Sequence, residues 1–362
     1  MTDYDITVVG CGPGGASAAY FSKLYDKDNS KRVLALERLS GGNFSRYHRM
    51  CGEGVSHLIE EDLSNIDVFK FAENEIEKVL EYYGGGESKI ETKFSGYILD
   101  RPEFLKKMIK DFKKMGGEFK NDAFIKMREG KESIKIKLNS GETIETEYLV
   151  IATGPNKTVE KFPGKLKKKS SRTVLYQILL DEMPERRDSI KFYYDEKYNE
   201  DYRWKFPYQD KTKIGVPGIC KEELSSYPED KVIRVDTKQV ASGLLESYNH
   251  RNKLFVGDAA FQTNPLTKGG IRPAINAGKM AAESLVKYND PDKYDIMYKK
   301  SGFHDELYLK AVSMLRKMDN EELITYSRNL KYYPFSLPLI FLKYRKYLPI
   351  YKAEFLSKKY GW

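Results

Sequence analysis

The segment Gly10-Cys11-Gly12-Pro13-Gly14-Gly15 follows directly on the β-branched run Asp5–Gly10 and opens into Ala16, Ser17, Ala18 and Ala19. This reads as a buried strand turning sharply into a helix of small residues. Gly10 permits the tight turn, Gly12 lets backbone N–H groups approach a pyrophosphate, and Gly15 lets the helix pack closely on the strand. Pro13, Gly14 and Ala16 complete the segment, whose helix N-terminus faces phosphate charge. Glycine-rich turns are common, so context must decide. A second apolar run, Arg32–Leu36, ends at Glu37, about 20 residues beyond the last glycine, where this fold places a carboxylate against a ribose diol. A carboxylate there also repels the extra phosphate of NADP, which leaves FAD or NAD.

Far downstream, Lys253–Val256 is a strand that runs into Gly257-Asp258-Ala259-Ala260, and Asn264-Pro265-Leu266-Thr267-Lys268-Gly269-Gly270-Ile271 then starts a helix. With the first turn, this segment resembles the second FAD fingerprint of the aromatic hydroxylase superfamily. The resemblance implies FAD, with Asp258 at the ribityl region and the turn Gly269, Gly270 and Ile271 at the pyrimidine edge of the flavin. Three further segments are similar to the geranylgeranyl reductase branch, which includes the digeranylgeranylglycerophospholipid reductases. Arg49-Met50-Cys51-Gly52-Glu53-Gly54 resembles that family's Cys-x-x-Gly segment beside the isoalloxazine. Tyr202-Arg203-Trp204-Lys205-Phe206-Pro207 resembles its Tyr-x-Trp-x-Phe-Pro motif, and Leu99-Asp100-Arg101-Pro102 the Asp-Arg pair whose arginine reaches the cofactor. The resemblance also implies adenine-side contact at Ala123 and a return to the nucleotide sheet at Gly154. Lys268 departs from a frequent family glycine and is expected to set a long cation at the mouth of the flavin pocket.

The fold that follows is α/β: a Rossmann-type FAD-binding domain of the aromatic-hydroxylase kind, with an inserted antiparallel β-sheet substrate domain and a helical C-terminal region. The FAD-binding part is expected to be discontinuous, 1–165 and 250–298, with the sheet at 166–249 and the basic, aromatic C-terminal region at 299–362. Within it, Pro102–Met115 reads as an amphipathic helix, and Ser133–Lys137 and Thr143–Ile151 as strands.

The resemblance implies saturation of carbon–carbon double bonds in a polyprenyl chain. Such alkenes are poor hydride acceptors, so the protein must align an apolar chain across the flavin in a dry tunnel. Tyr202, Trp204 and Phe206 share one face of a strand by period two, as tunnel wall or as plain core stripe, and Pro265 is expected on the substrate side. Cys51 is the candidate catalytic residue, as a proton donor or as a packing and gating group beside the flavin. His57, His250 and His304 show no ligand spacing, and no metal is expected. The three cysteines form no C-x-x-C pair, which fits a reducing cytoplasm.

No second complete glycine fingerprint appears, so reducing equivalents are expected from ferredoxin or from weakly docked NAD(P)H. The net charge of +9 suits an acidic electron-transfer partner or an anionic lipid surface. From Arg328 to Trp362 there are eight Lys/Arg residues against one acid, Glu354, interleaved with aromatic residues. That pattern suits peripheral contact with anionic headgroups at the inner face of the cell membrane, or a solvated basic helix. Its apolar stretch, Phe335–Leu342, is far shorter than the roughly 20 residues that cross a bilayer. Nucleic acid ranks low, because the flavin fingerprints leave little chain for a separate module. Two rivals remain: a flavin monooxygenase or halogenase, and a prenyl-lipid carrier without flavin.

Overall fold

A computed structural model describes residues 2–156, 168–199, 201–331 and 342–362. The chain opens with β1 (Tyr4–Val9), α1 (Pro13–Tyr25), β2 (Val33–Leu36) and α2 (Gly41–His48). It continues through β3 (Gly54–Ser56), α3 (Leu58–Asp62), β4 (Ala72–Tyr83), β5 (Ser88–Leu99) and α4 (Arg101–Lys114). The strands β6 (Glu118–Lys120), β7 (Phe124–Glu129), β8 (Ile134–Leu138) and β9 (Thr143–Ile151) follow. Next come β10 (Lys168–Leu180), β11 (Ser189–Tyr194), β12 (Arg203–Tyr208), β13 (Lys211–Pro217) and β14 (Val232–Leu245). After β15 (Asn249–His250) and β16 (Lys253–Phe255), the helices are α5 (Ile271–Val286), α6 (Pro291–Lys300), α7 (Glu306–Leu315), α8 (Asn320–Lys331) and α9 (Leu348–Tyr360).

Two eight-stranded sheets carry the molecule. In the first, the parallel set β16-β9-β1-β2-β6 forms the nucleotide-type core, with β7, β8 and β15 paired antiparallel at its margins. All four residues of β2 are buried, as expected for a parallel strand covered on both faces. Helix α1 packs between this sheet and α5, where Ser17 Oγ donates to Ile275 O at 2.6 Å. The core continues through Val8, Leu34, Leu149, Phe255 and Ala277.

The second sheet runs β14-β10-β13-β12-β11-β4-β5-β3. Three of its strands therefore come from within the first stretch of chain, and the sheet is not confined to 166–249. It is also not wholly antiparallel, because β11 pairs parallel with β4. The reason is topological: β4 and β5 form a hairpin, and the chain rejoins its edge only after building α4 and the margin of the first sheet. One face of this sheet is apolar, with Ile76, Ile190, Phe192, Trp204 and Phe206 in one buried cluster. A helical layer of α7, α8 and α9 covers the β4–β5 end, where Tyr83, Tyr308, Tyr326 and Tyr351 are buried.

The C-terminal aromatic residues divide. Tyr332, Tyr333, Phe335 and Phe341 lie outside the described residues. Tyr347 and Tyr351 pack inward, Tyr351 stacking on Tyr326 with ring centroids 4.8 Å apart, so these two form core and no membrane-facing belt. Leu342 and Phe355 are exposed beside Lys343, Arg345, Lys352, Lys358 and Lys359. No helix among the described residues is long and apolar enough to cross a membrane.

Candidate active site

The turn between β1 and α1 has the geometry that its glycines suggested. Gly10 has φ +91°, and a Cβ there would lie 2.5 Å from Ala152 O. A Cβ on Gly15 would fall 1.7 Å from Gly10 O, so any side chain would drive α1 off the strand. Glu37, nearly buried at the end of β2, accepts from Cys11 N at 2.8 Å through Oε2 and from Leu39 N at 2.8 Å through Oε1. Its carboxylate thus braces the turn, and each oxygen keeps a further lone pair for a diol.

Gly10, Gly12, Pro13, Gly14 and Glu37 line a cavity of about 700 Å³ that also takes in Arg38, Tyr47, Arg101, Gly154 and Asp258. Its size lies in the usual range for organic cofactors. The N-terminus of α1 points at it, with Gly12 as the cap and no side-chain hydrogen bond at that cap among the described residues. That combination of free N–H groups and positive dipole suits a pyrophosphate. Gly15 and Ala16 support the turn from beneath and do not line the cavity; Ala16 N donates to Gly12 O at 2.8 Å. Ala123 also stands off the wall, which its neighbours Asp122 and Phe124 form instead.

At the opposite end, Asp258 Oδ1 accepts from Thr263 Oγ1 at 2.8 Å. Burial raises the Asp258 carboxyl, while Lys238, Thr263 and Arg101 pull it back. Gly270 caps α5, and Gly270 and Ile271 bring that helix N-terminus to the wall. Arg101, buried at the start of α4, donates through Nε to His48 O at 2.6 Å. Its guanidinium therefore anchors α2 while facing the cavity. Asp100 caps α4 and pairs with Arg49 Nη2 at 2.8 Å.

A second, smaller cavity of about 110 Å³ lies against the first. Tyr202, Trp204, Phe206 and Trp362 form its aromatic wall. Cys51, Lys238, Val240, Lys268, Gly270 and Ile271 border both spaces. The period-two stripe on β12 thus has a hollow in front of it. Gly52 and Gly54 line this smaller space rather than the larger one, and a Cβ on Gly52 would sit 2.6 Å from the Phe206 ring. Gly269 likewise faces only the smaller cavity. Pro265 lines neither. Asn264 Oδ1 accepts from Leu266 N and Thr267 N at 2.8 and 3.1 Å, which folds the turn inward and buries the proline away from the hollow.

Cys51 Sγ accepts from Glu53 N at 3.2 Å. Behind the loop, the fully buried Lys213 pairs with Glu53 and donates to Cys51 O at 3.3 Å. Lys268 is paired as well, to Asp201 at 3.0 Å, so the cation expected at the mouth is neutralised. These ion pairs, the buried His48 Nε2, which has no hydrogen-bond partner among the described residues, Tyr47 and Lys238 were not picked out from the sequence. The usable signal was weak: Lys213 and Lys238 occupy alternating positions that read equally well as solvent-facing.

No family model matches the chain. It is 27% identical over 356 residues to a digeranylgeranylglycerophospholipid reductase of Methanocaldococcus jannaschii, covering 88% of each protein. Among solved structures, a geranylgeranyl bacteriochlorophyll reductase-like protein from Thermoplasma acidophilum aligns with a TM-score of 0.77 at 21% identity, over 98% of this chain and 99% of the other. The p-nitrophenol 4-monooxygenase of Pseudomonas putida aligns at 0.68 and 14% identity, over 99% and 98%. These likenesses establish the fold shared by flavin-dependent monooxygenases and the reductase-like protein, and the resemblance read from the motifs is supported along most of the chain.

Proposed function

We propose that the protein binds FAD in the larger cavity and saturates carbon–carbon double bonds of geranylgeranyl or related polyprenyl lipids, with the reacting isoprene unit in the smaller one, whose volume of about 110 Å³ matches one such unit and not the whole chain. The observation that carries this reading is the apolar, aromatic-walled hollow sharing a wall with a dinucleotide-sized cavity. The names of the relatives point the same way. Tyr202, Trp204, Phe206, Leu175 and Val240 make the wall of the smaller cavity mostly hydrocarbon, which suits an alkene, although Gln177, Asp236 and Lys238 also line it.

The residues fit the cofactor. The Gly10–Gly15 turn leaves room that a Cβ would fill, Glu37 would take the ribose, Asp258 the ribityl chain, and the α5 N-terminus the pyrimidine edge. Reduced FAD, when bound, supplies a hydride equivalent. The chain's own residues do the rest. Gly12, Gly14 and Arg101 orient the dinucleotide, the aromatic wall excludes water and aligns the alkene, and Cys51 packs at the junction between the two spaces. Holding the reacting atoms in line is where much of the rate originates.

Electrons would come from ferredoxin or from transiently docked NAD(P)H, both suited to a net charge of +9. Contact with an anionic membrane surface would use the exposed lysines of 343–359 and Arg345 together with Phe355. The test is to incubate dithionite-reduced protein with geranylgeranyl phospholipid or diphosphate and weigh the product. Added hydrogens are expected. Oxygen consumption with a hydroxylated or halogenated aromatic product, and no gain on the prenyl chain, would replace this reading with the monooxygenase or halogenase one. A colourless protein that refuses added FAD would favour a lipid carrier.

A further inference from the structure

Saturating an alkene needs a proton as well as a hydride, and two lysines, Lys238 and Lys268, border both cavities, with a third, Lys213, buried behind the Cys51 loop. Lys213 is matched by Glu53 and Lys268 by Asp201. Lys238 is different. It borders both cavities, and among the described residues no carboxylate oxygen lies within the 4.0 Å of an ion pair. Its Nζ stands instead 4.8 Å from the centroid of the Tyr47 ring.

The strand pairing holds it there. On β14 the outward positions Ile233, Val235, Thr237 and Gln239 are exposed, while Asp236, Lys238 and Val240 turn toward the hollow. Lys238 lies opposite Leu175 and Asp236 opposite Gln177 in the β10 register. The residue directly opposite the Lys238 ammonium on β10 is thus the apolar Leu175, with the amide of Gln177 one pair along. Charged and titratable groups face it from elsewhere: Arg101 on α4, Tyr47 and His48 on α2, Cys51 and Glu53 on the loop before β3, Asp258 after β16, and Asp236 on its own strand. Asp236 is held by Arg234, 2.6 Å away. Burial, reinforced by Arg101 and opposed by Cys51, Asp258 and Glu53, brings Lys238 down to about 8. A general acid works best with a pKa near the operating pH.

We propose, resting on the alkene-reductase reading, that the ammonium of Lys238 is the catalytic acid that protonates the alkene carbon not attacked by hydride. The N–H bond of Nζ breaks as one carbon gains that proton through the alkene π pair. The other carbon gains the hydride and its two electrons from reduced flavin. One alkane and oxidised flavin result, and Lys238 is left as a neutral amine that regains its proton from water. Cys51 keeps the packing role, with its sulfur accepting from Glu53 N.

The experiment follows single-turnover oxidation of dithionite-reduced protein by a geranylgeranyl substrate from about pH 6 to about pH 10. The wild-type rate is expected to fall as pH rises through about 8, because the acid must be protonated. Lys238→Met should be slower by about 100-fold or more, lose that pH limb, and keep its flavin absorbance and substrate affinity. Lys238→Ala should be rescued by added methylammonium, which a merely structural lysine would not permit. As a readout independent of turnover, carbon-13 reductive methylation of the oxidised holoenzyme should give one lysine signal, absent from Lys238→Met, that titrates well below the others. Rates within a few-fold of wild type with the same limb, failure of rescue, or an ordinary titration of that signal would each overturn the inference. If Cys51→Ala removes the limb and Lys238→Met does not, the acid is the thiol. If the wild type itself is oxidised by no prenyl substrate, the functional reading has failed rather than the assignment of the acid.

Discussion

Replacing Lys213 by methionine tests whether the loop carrying Cys51 is held by charge. Both side chains of the Lys213–Glu53 pair have no exposed surface, Glu53 Oε1 has no hydrogen-bond partner among the described residues, and Lys213 Nζ stands 3.9 Å from the centroid of the Tyr208 ring. Removing the cation leaves a buried carboxylate without its ion-pair partner, a loss of about 3–5 kcal/mol in comparable buried pairs. With an unfolding entropy of about 2.1 cal/mol/K per residue, a chain of 362 residues converts this to a fall of about 4–7 °C in melting temperature. The double variant Lys213→Met, Glu53→Met removes both charges and is expected to recover most of the loss, since apolar replacements of buried pairs are often neutral. Thermal and urea denaturation should be run at one fixed excess of FAD, because bound cofactor itself raises the midpoint. A single variant that melts within about 1 °C of wild type, or a double variant no better than the single, would refute the argument.

Three further outcomes are expected. Glu37→Gln leaves one of the two N–H groups of Cys11 and Leu39 without its charged acceptor and should weaken FAD binding by about 10-fold or more, read by flavin fluorescence; unchanged affinity would count against the brace. Trp204→Ala enlarges the small cavity and should raise KM for a prenyl substrate while leaving FAD affinity intact, at a stability cost of about 3–5 kcal/mol measured by urea denaturation. Burial and the neighbouring Glu81 push the Glu354 carboxyl from 4.5 up to about 8. A raised carboxyl stabilises the fold at low pH and loses that contribution as pH climbs through its folded value. Glu354→Gln should therefore flatten the decline in melting temperature between about pH 5 and about pH 8, and an unaltered slope in thermal melts would contradict it.

The geometry of the glycine turn was legible because its chemistry is local. Gly10, Gly12 and Gly15 stand within one turn of chain, and the close approach of Gly15 to Gly10 O involves only the strand and helix they join. Glu37 was legible from spacing, since a parallel strand and its crossover have little freedom in length. The stripe Tyr202, Trp204, Phe206 was legible from alternation, though not the hollow before it. That hollow needs Gly52 from one end of the chain and Trp362 from the other. Pro265 was misplaced for a related reason: Asn264 closes the turn through its own side chain, and a motif does not show which way a turn folds.

From residue order alone came the flavin-type fold, the glycine turn and the aromatic face of one strand, because each depends on groups a few residues apart. Tertiary structure decided which charges are matched. Whether a lysine on an alternating strand meets water, a carboxylate or an aromatic ring depends on partners brought in from distant parts of the chain, as Glu53 is to Lys213 and Tyr47 to Lys238. Burial and electrostatic pairing are properties of that assembled neighbourhood, so they came into view only with the two sheets side by side.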